Sequence, residues 1–294
     1  MNSIKRKLIQ IAAFGFTNFR IGNFGKGTIY TGKWKEFCTP GMNCYSCPAA
    51  NFACPIGAMQ AVASSRKLNF SFYVVGMILA IGVIFGRAVC GYMCPFGLAQ
   101  ELLFLIKSPK IKLPPIFRYI KYVVLALFVL ILPVVVVDIT GLGKPWFCEY
   151  ICPVGTLEAG IPLMLINESL RSNIGGLFYL KLSILLVVLA LSVFVFRFFC
   201  KVLCPLGVIY GLLNKVSLLH LECDKSKCVE CGLCAKTCDM DVNPAKEVRS
   251  TECIMCGKCT AVCPGKALSV GIKSSDKKNK TLYNRGNEVR GENS

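Results

Sequence analysis

The sequence predicts a mainly α chain, in which a polytopic transmembrane helical domain with an internal duplication is followed by a small α+β cysteine-rich domain. Three observations carry this. Of the 294 residues, 54% are hydrophobic, and the mean hydropathy of +0.56 is too high for an ordinary soluble domain. Three stretches, 68–86, 122–137 and 182–196, lack charge over most of a bilayer thickness. The chain also holds nineteen cysteines. A disulfide scaffold of that density would be short and free of long apolar runs, so the count points to metal.

In chain order, the N-terminal "MNSIKRKLIQIAAFGF" begins like a signal peptide, but polar residues break its apolar run and no A-x-A-like site follows. It is read as retained. Its apolar part, 8–19, is a marginal first span or an interfacial helix. The second and third long stretches fall short of the roughly 20 residues of a straight span, but Lys121, Lys181 and Arg197 can snorkel from their ends. The loop after the first span carries Lys107, Lys110, Lys112, Arg118 and Lys121 against Glu101. The next holds Asp138, Glu149, Glu158 and Glu168 against Lys144 and Arg171. The basic loop, and the domain beyond the third span, are therefore expected on the cytoplasmic side of a prokaryotic inner membrane, although the equally basic 20–67 sits awkwardly outside. The expected divisions are an N-terminal cysteine segment 1–67, the helical domain 68–217, a cysteine-rich domain 218–272 and a disordered tail 273–294.

The duplication is written in cysteine. Cys-Pro, an apolar residue and Gly recur at Cys54, Cys94, Cys152 and Cys204, and three of these follow another cysteine by four positions: Cys90, Cys148 and Cys200. "CPIGAMQA" aligns with "CPVGTLEA", and "CPFGLAQELL" with "CPLGVIYGLL". With one span between them, Cys90/Cys94 and Cys200/Cys204 lie on one face, where four thiolates suit a [4Fe-4S] cluster. A Pro after each Cys starts a helix whose free N–H groups favour anionic sulfur.

Cys148 and Cys152 are expected on the opposite face, with Cys54. Ala50 stands where a partner of Cys148 would be, so Cys47 completes this opposite-face cluster, with Cys44 and Cys38 as alternative ligands. A self-contained site of Cys38, Cys44, Cys47 and Cys54 remains open, as do zinc and a pair of inert buried cysteines.

The C-terminal domain reads "CVECGLCAKTCD" and "CIMCGKCTAVCP". Both are C-x2-C-x2-C-x3-C, the two-cluster ferredoxin spacing in which the fourth cysteine serves the other centre. One cluster takes Cys228, Cys231, Cys234 and Cys263; the other takes Cys253, Cys256, Cys259 and Cys238. Cys223 is a spare thiol.

Together "FGRAVCGYMCPFG", "FRFFCKVLCPLG" and the two ferredoxin runs resemble the membrane-bound polyferredoxins of the NapH type over residues 68–272. The opening "CTPGMNCYSCP" and "CEYICPVG" are similar to a branch of iron-sulfur membrane proteins with that extra motif. The resemblance implies electron transfer between a quinol pool and a redox partner protein. A factor for maturing another redox enzyme is the alternative.

Other classes are set aside. The +18 net charge is spread along loops, without the basic helix or aromatic-studded sheet of nucleic-acid binding. His220 is the only histidine, so no bis-histidine haem forms. "GTIYTGKW" ends in Trp34 where a phosphate loop needs Ser or Thr, and no NAD or flavin glycine motif occurs.

Overall fold

The computed structural model describes residues 3–64, 72–137, 143–172 and 174–272. The expected disordered tail lies outside them. Helices dominate, and four of them begin in one way. Pro55–Ala63, Pro95–Leu103, Pro153–Ile166 and Pro205–Leu213 each carry Pro at the first position, with the preceding cysteine as N-cap. Each of these cysteines has extended backbone, as at Cys94 with φ −85° and ψ 115°, because the proline ring excludes the helical region for the residue before it. Proline itself lacks only an N–H that the first turn leaves free anyway.

Two helices are long and apolar enough to cross a membrane by length and composition, Pro115–Val135 with 21 residues and Gly176–Phe194 with 19. The first begins seven residues before the expected 122, since Pro114 and Pro115 start it. It passes through a wide π-type turn, Leu125–Ile131, just ahead of Pro133, whose missing N–H interrupts the regular ladder. The remaining expected span is represented by Phe72–Phe85, only 14 residues; residues 68–71 lie outside the described ones. The N-terminal helix Ser3–Thr17 packs beside Pro95–Leu103 and Ala88–Tyr92. Arg6 fixes it there, donating to both carboxylate oxygens of Glu101 at 2.8 and 2.7 Å.

The C-terminal region is closed by two antiparallel strands, β1 Leu219–Cys223 and β2 Leu268–Ile272, with Leu219 opposite Ile272. It sits directly on the helical part. A Cβ on Gly91 would lie 2.5 Å from the Ile254 carbonyl oxygen, and one on Gly211 would lie 2.7 Å from that of Thr251. Only glycine permits such backbone contact. Polar contacts lock the interface: Tyr92 donates to the Met255 carbonyl at 2.9 Å, Asn214 to that of Ser250 at 2.8 Å, and Lys201 pairs with Asp241 at 2.6 Å. One core runs unbroken from Cys38 and Met42 through Cys90 and Cys200 to Met240 and Ile254.

Candidate cysteine-lined redox centres

The Cys204 motif aims its helix start at its own sulfur. The Gly207 N–H donates to Cys204 Sγ at 3.3 Å. Cys54, Cys94 and Cys152 hold the same N-cap position before their prolines, without that hydrogen bond to the side chain. A first-turn amide has no helical partner, and one aimed at sulfur stabilises a thiolate.

Cys90, Cys94, Cys200 and Cys204 line one central cavity. The two motifs cross-brace each other around it. Arg87, three residues before Cys90, reaches the Cys200 carbonyl at 3.1 Å, and Arg197, three before Cys200, bonds the Cys90 carbonyl. A carboxylate holds each guanidinium: Glu252 for Arg87 at 2.7 Å and Glu101 for Arg197 at 2.9 Å. Lys121, fully buried, also pairs with Glu252. Arg197 is held at φ 51°, a left-handed strain for a side chain of its size. Gln100 spans the motifs as well. Its amide donates to Cys200 Sγ at 3.4 Å and its oxygen accepts from the Phe199 N–H at 3.0 Å.

The same device recurs in the second site. Gln60 donates to Cys148 Sγ at 3.2 Å and accepts from the Phe147 N–H at 3.0 Å. Gln60 and Gln100 each stand six residues after the Cys of Cys-Pro, and in the other two motifs that position is Glu158 or Tyr210. Cys54, Cys148 and Cys152 share a cavity of about 790 Å³ with Cys44 and Cys38. Glu158 accepts from the Cys44 N–H at 2.7 Å, and burial pushes its carboxyl up to about 8. Cys47 lines none of the four cavities described here. It packs with Ala49 and Ala50, its thiol 3.9 Å from Asn18 Oδ1, so of the two it is Cys44 that lines this cavity. Only Pro48 and Ala49 separate Cys47 from Ala50, and the turn at Cys44–Cys47, closed by the Cys47 N–H to the Cys44 carbonyl, leaves the Cys44 sulfur facing Gly155.

In the C-terminal region Cys228, Cys231, Cys234 and Cys263 gather around one cavity, with Cys223 on its wall. Cys238, Cys253, Cys256 and Cys259 gather around another. Eighteen of the nineteen cysteines thus line four cavities.

The chemistry of these walls fits an iron-sulfur group. Burial pushes the Cys90 thiol up to about 11, and those of Cys44 and Cys94 to about 12. Such thiols stay protonated unless a cationic centre draws the proton off. Asn43, fully buried on the wall of the Cys44 cavity, has an amide with no protein partner. Among the described residues, no three His, Cys, Asp or Glu side chains converge tightly enough to grip a single ion. Around Cys44 and around Cys228 the thiols surround voids of about 790 and 390 Å³, which suit a multi-iron cluster better than one tetrahedral Zn2+ with Zn–S of about 2.3 Å; the central and Cys253 sites are closed down to about 10 and 20 Å³.

The four cavities are contiguous. Met42 lines both the Cys44 cavity and the central one, and Ile254 lines both the central one and that of Cys253. Leu221 and Leu268 pack between Cys259 and the Cys223 and Cys234 side. The Cys148/Cys152 site expected on the opposite face is thus one residue layer away from the central site. The loop 38–44 folds inward to reach both, which a count of spans does not reveal. His220, the histidine that the sequence leaves without a haem partner, is buried in β1 with Nδ1 3.0 Å from the Leu218 carbonyl oxygen.

Comparison with known proteins adds a family. The family described as "4Fe-4S binding domain" matches residues 51–72, 70–114, 125–161 and 177–221. An uncharacterized protein of Methanocaldococcus jannaschii, MJ0750, is 31% identical over 198 residues, covering 66% of this chain and 75% of its own. The putative electron transport protein YccM of Escherichia coli is 25% identical, over 69% of this chain and 54% of its own. The methylamine utilization ferredoxin-type protein MauN of Paracoccus denitrificans is 28% identical, over 56% and 53%. No solved structure matches the chain.

Proposed function

Because the chain belongs to the 4Fe-4S binding domain family, we propose that this iron-sulfur electron-transfer protein is a membrane-embedded relay holding four [4Fe-4S] centres in series. The observation that carries this reading is the succession of the four cysteine-lined cavities: Met42 lines the first two, Ile254 the second and third, and Leu221 and Leu268 pack between the C-terminal two. When bound, the clusters supply one-electron chemistry. The chain supplies everything else: sixteen thiolates, a helix N–H aimed at the Cys204 sulfur, buried cations for charge balance, and short partitions.

The assigned ligand sets are Cys44, Cys54, Cys148 and Cys152; Cys90, Cys94, Cys200 and Cys204; Cys238, Cys253, Cys256 and Cys259; and Cys228, Cys231, Cys234 and Cys263. Cys38 and Cys223 are additional thiols on the cavity walls. Electrons exchange with a soluble redox partner at the last set, where Cys231 is exposed. At the other end, the Cys44 cavity opens among Tyr73, Leu163 and Lys181 of the apolar helices, which suits a donor or acceptor arriving from the lipid, such as a quinol. The two long apolar helices and the basic loop at Lys107, Lys110 and Lys112 support a multi-pass inner-membrane protein with its C-terminal region in the cytoplasm. The names of the relatives YccM and MauN are in keeping with electron transport.

The test is iron, acid-labile sulfide and zinc per chain on protein purified anaerobically in detergent, followed by stepwise reduction. About sixteen irons with matching sulfide is the expected result. About eight irons, or zinc making up the balance, would refute the relay and leave only the C-terminal pair as redox centres.

A further inference from the structure

Five aromatic rings gather at the end of the molecule away from the C-terminal region. Two helices fix that placement. Ser3–Thr17 and Phe72–Phe85 each have one end on the C-terminal side: Arg6 donates to the Gly91 carbonyl at 3.2 Å, and the Val83 carbonyl accepts from the Leu218 N–H at 2.8 Å. Their other ends carry Phe16 and Tyr73. An unbroken strip of rings joins these two residues. Phe16 lies 5.5 Å from Phe52, Phe52 lies 6.0 Å from Trp34, Trp34 lies 6.5 Å from Phe37, and Phe37 lies 6.3 Å from Tyr73, centroid to centroid. Each spacing is that of a favourable aromatic pair.

The strip is not core. Phe16, Trp34, Phe37 and Tyr73 are all exposed, Trp34 by 56%, and a contiguous apolar patch on a protein surface marks a contact with something other than water. The stretch 20–37 that carries Trp34 and Phe37 also exposes Arg20, Lys26 and Lys33 against one acid, Glu36. The Arg20 guanidinium lies 3.7 Å from the centre of the Tyr30 ring. Exposed Trp and Tyr beside exposed cations are what the headgroup layer of a bilayer selects, because the rings are amphipathic and Lys and Arg meet anionic lipid there. The length agrees. Phe72–Phe85 has 14 residues, about 21 Å at ~1.5 Å per residue, short of a hydrocarbon core of ~30 Å. The strip continues its apolar surface beyond Tyr73.

We infer that this strip is a membrane-interface belt: Trp34 and its neighbours sit in the headgroup layer of the leaflet away from the C-terminal region, where Arg20, Lys26 and Lys33 hold anionic phospholipid headgroups. The inference rests on the membrane-embedded reading. It gives the basic stretch 20–37 a place beyond the span, since its cations lie on aromatic rings or against lipid phosphate. Tyr73 also lines the Cys44 cavity, so seating the belt brings that cavity to the headgroup layer.

The experiment uses the full chain in lipid vesicles. The sequence has two tryptophans, Trp34 and Trp146, so Trp146→Phe leaves Trp34 as the sole reporter and keeps a ring against Tyr150. Phosphatidylcholine brominated near the headgroup end of its acyl chains should quench Trp34 emission more than the same lipid brominated near the methyl end. The emission lost between wild type and Trp34→Phe gives the same comparison without touching Trp146. Phosphatidylglycerol brominated at the shallow position should quench more than its phosphatidylcholine counterpart at equal mole fraction, and the double variant Lys26→Gln, Lys33→Gln should abolish that excess. Stronger quenching by the deep bromines would overturn the inference by placing Trp34 inside a span. So would no quenching by either lipid in protein that floats with the vesicles after a high-salt wash, since the strip would then face water or protein. Equal quenching by the two headgroups would overturn the anionic-lipid contact. Protein that fails to float would instead remove the membrane reading beneath it.

Discussion

Cys44 and Cys47 lie three residues apart and look equivalent in sequence, but they differ in what their loss should remove. Cys44 lines the cavity shared by Cys54, Cys148 and Cys152. Cys47 is 3% exposed among Ala49, Ala50 and Phe24, outside that cavity. If four centres hold about sixteen irons, Cys44→Ala should bring the count to about twelve, because a cubane needs four thiolates. Cys47→Ala should keep about sixteen and lower stability on the order of 1 kcal/mol, the scale for deleting one buried atom into a small void. Cys38 touches the same cavity but stands outside the Cys-Pro repeat that supplies Cys54 and Cys152. Cys38→Ala is therefore expected to retain full iron. The assay is iron and sulfide per chain on anaerobic protein, with thermal unfolding in parallel. Sixteen irons in Cys44→Ala together with twelve in Cys47→Ala would refute the assignment drawn from the cavity.

Three further outcomes follow from other contacts. Gly91→Ala places a Cβ 2.5 Å from the Ile254 carbonyl oxygen, so the C-terminal region must lift. Transfer between the Cys253 and central centres should slow while iron content holds, as freeze-quench EPR would show. Gln100→Leu leaves the buried Phe199 N–H without an acceptor and Cys200 without a donor, at about 1–3 kcal/mol; thermal unfolding should fall and the central potential should drop. Burial alone would raise the Glu101 carboxyl, but Arg197 and Arg6 outweigh it and hold it below its ordinary 4.5. A depressed carboxylate contributes stability above its unfolded value and loses it on acidification, so wild-type protein should weaken as pH falls below 4.5. Circular dichroism should show a flatter acid limb in Glu101→Gln.

The cysteine arithmetic was legible because ligands must recur at fixed spacing, and the helix starts were legible because Cys-Pro dictates them. The cysteines of the two C-terminal sets and of the Cys90/Cys94/Cys200/Cys204 set line shared cavities, a grouping that spacing alone suggests. Less legible was everything decided by tertiary path. Counting spans placed the Cys148 site across the membrane from the central one, yet the inward fold of 38–44 leaves Met42 between them. Composition could not tell Cys44 from Cys47, since both sit in one turn. Gln60, Gln100, Glu158 and Tyr210 could have been found: they fill one column of the aligned repeats, six after each Cys-Pro cysteine, though only the fold shows that this column spans the motifs. Arg87 and Arg197, each three before a cysteine, were a second such column. Lys121 was read as a snorkelling end residue and is instead buried against Glu252, a partner 131 positions away.

The buried charges around the central cavity also close a balance that composition could not. Arg6, Arg87, Lys121 and Arg197 stand against Glu101 and Glu252 in linked pairs, leaving two positive charges in excess. A [4Fe-4S] centre with four thiolates carries about −2. The network would thus neutralise a cluster in this site, and each carboxylate holds cations that would otherwise repel one another. This makes opposite predictions for two members of one ion pair. Arg197→Gln removes a fixed positive charge beside the cluster and should lower the central potential, whereas Glu101→Gln removes a negative one and should raise it. Both variants break the same 2.9 Å contact, so a merely structural effect would move the potential the same way in each. Redox titration by EPR decides: shifts of one sign in both variants would mean that the pair holds the fold and does not tune the centre.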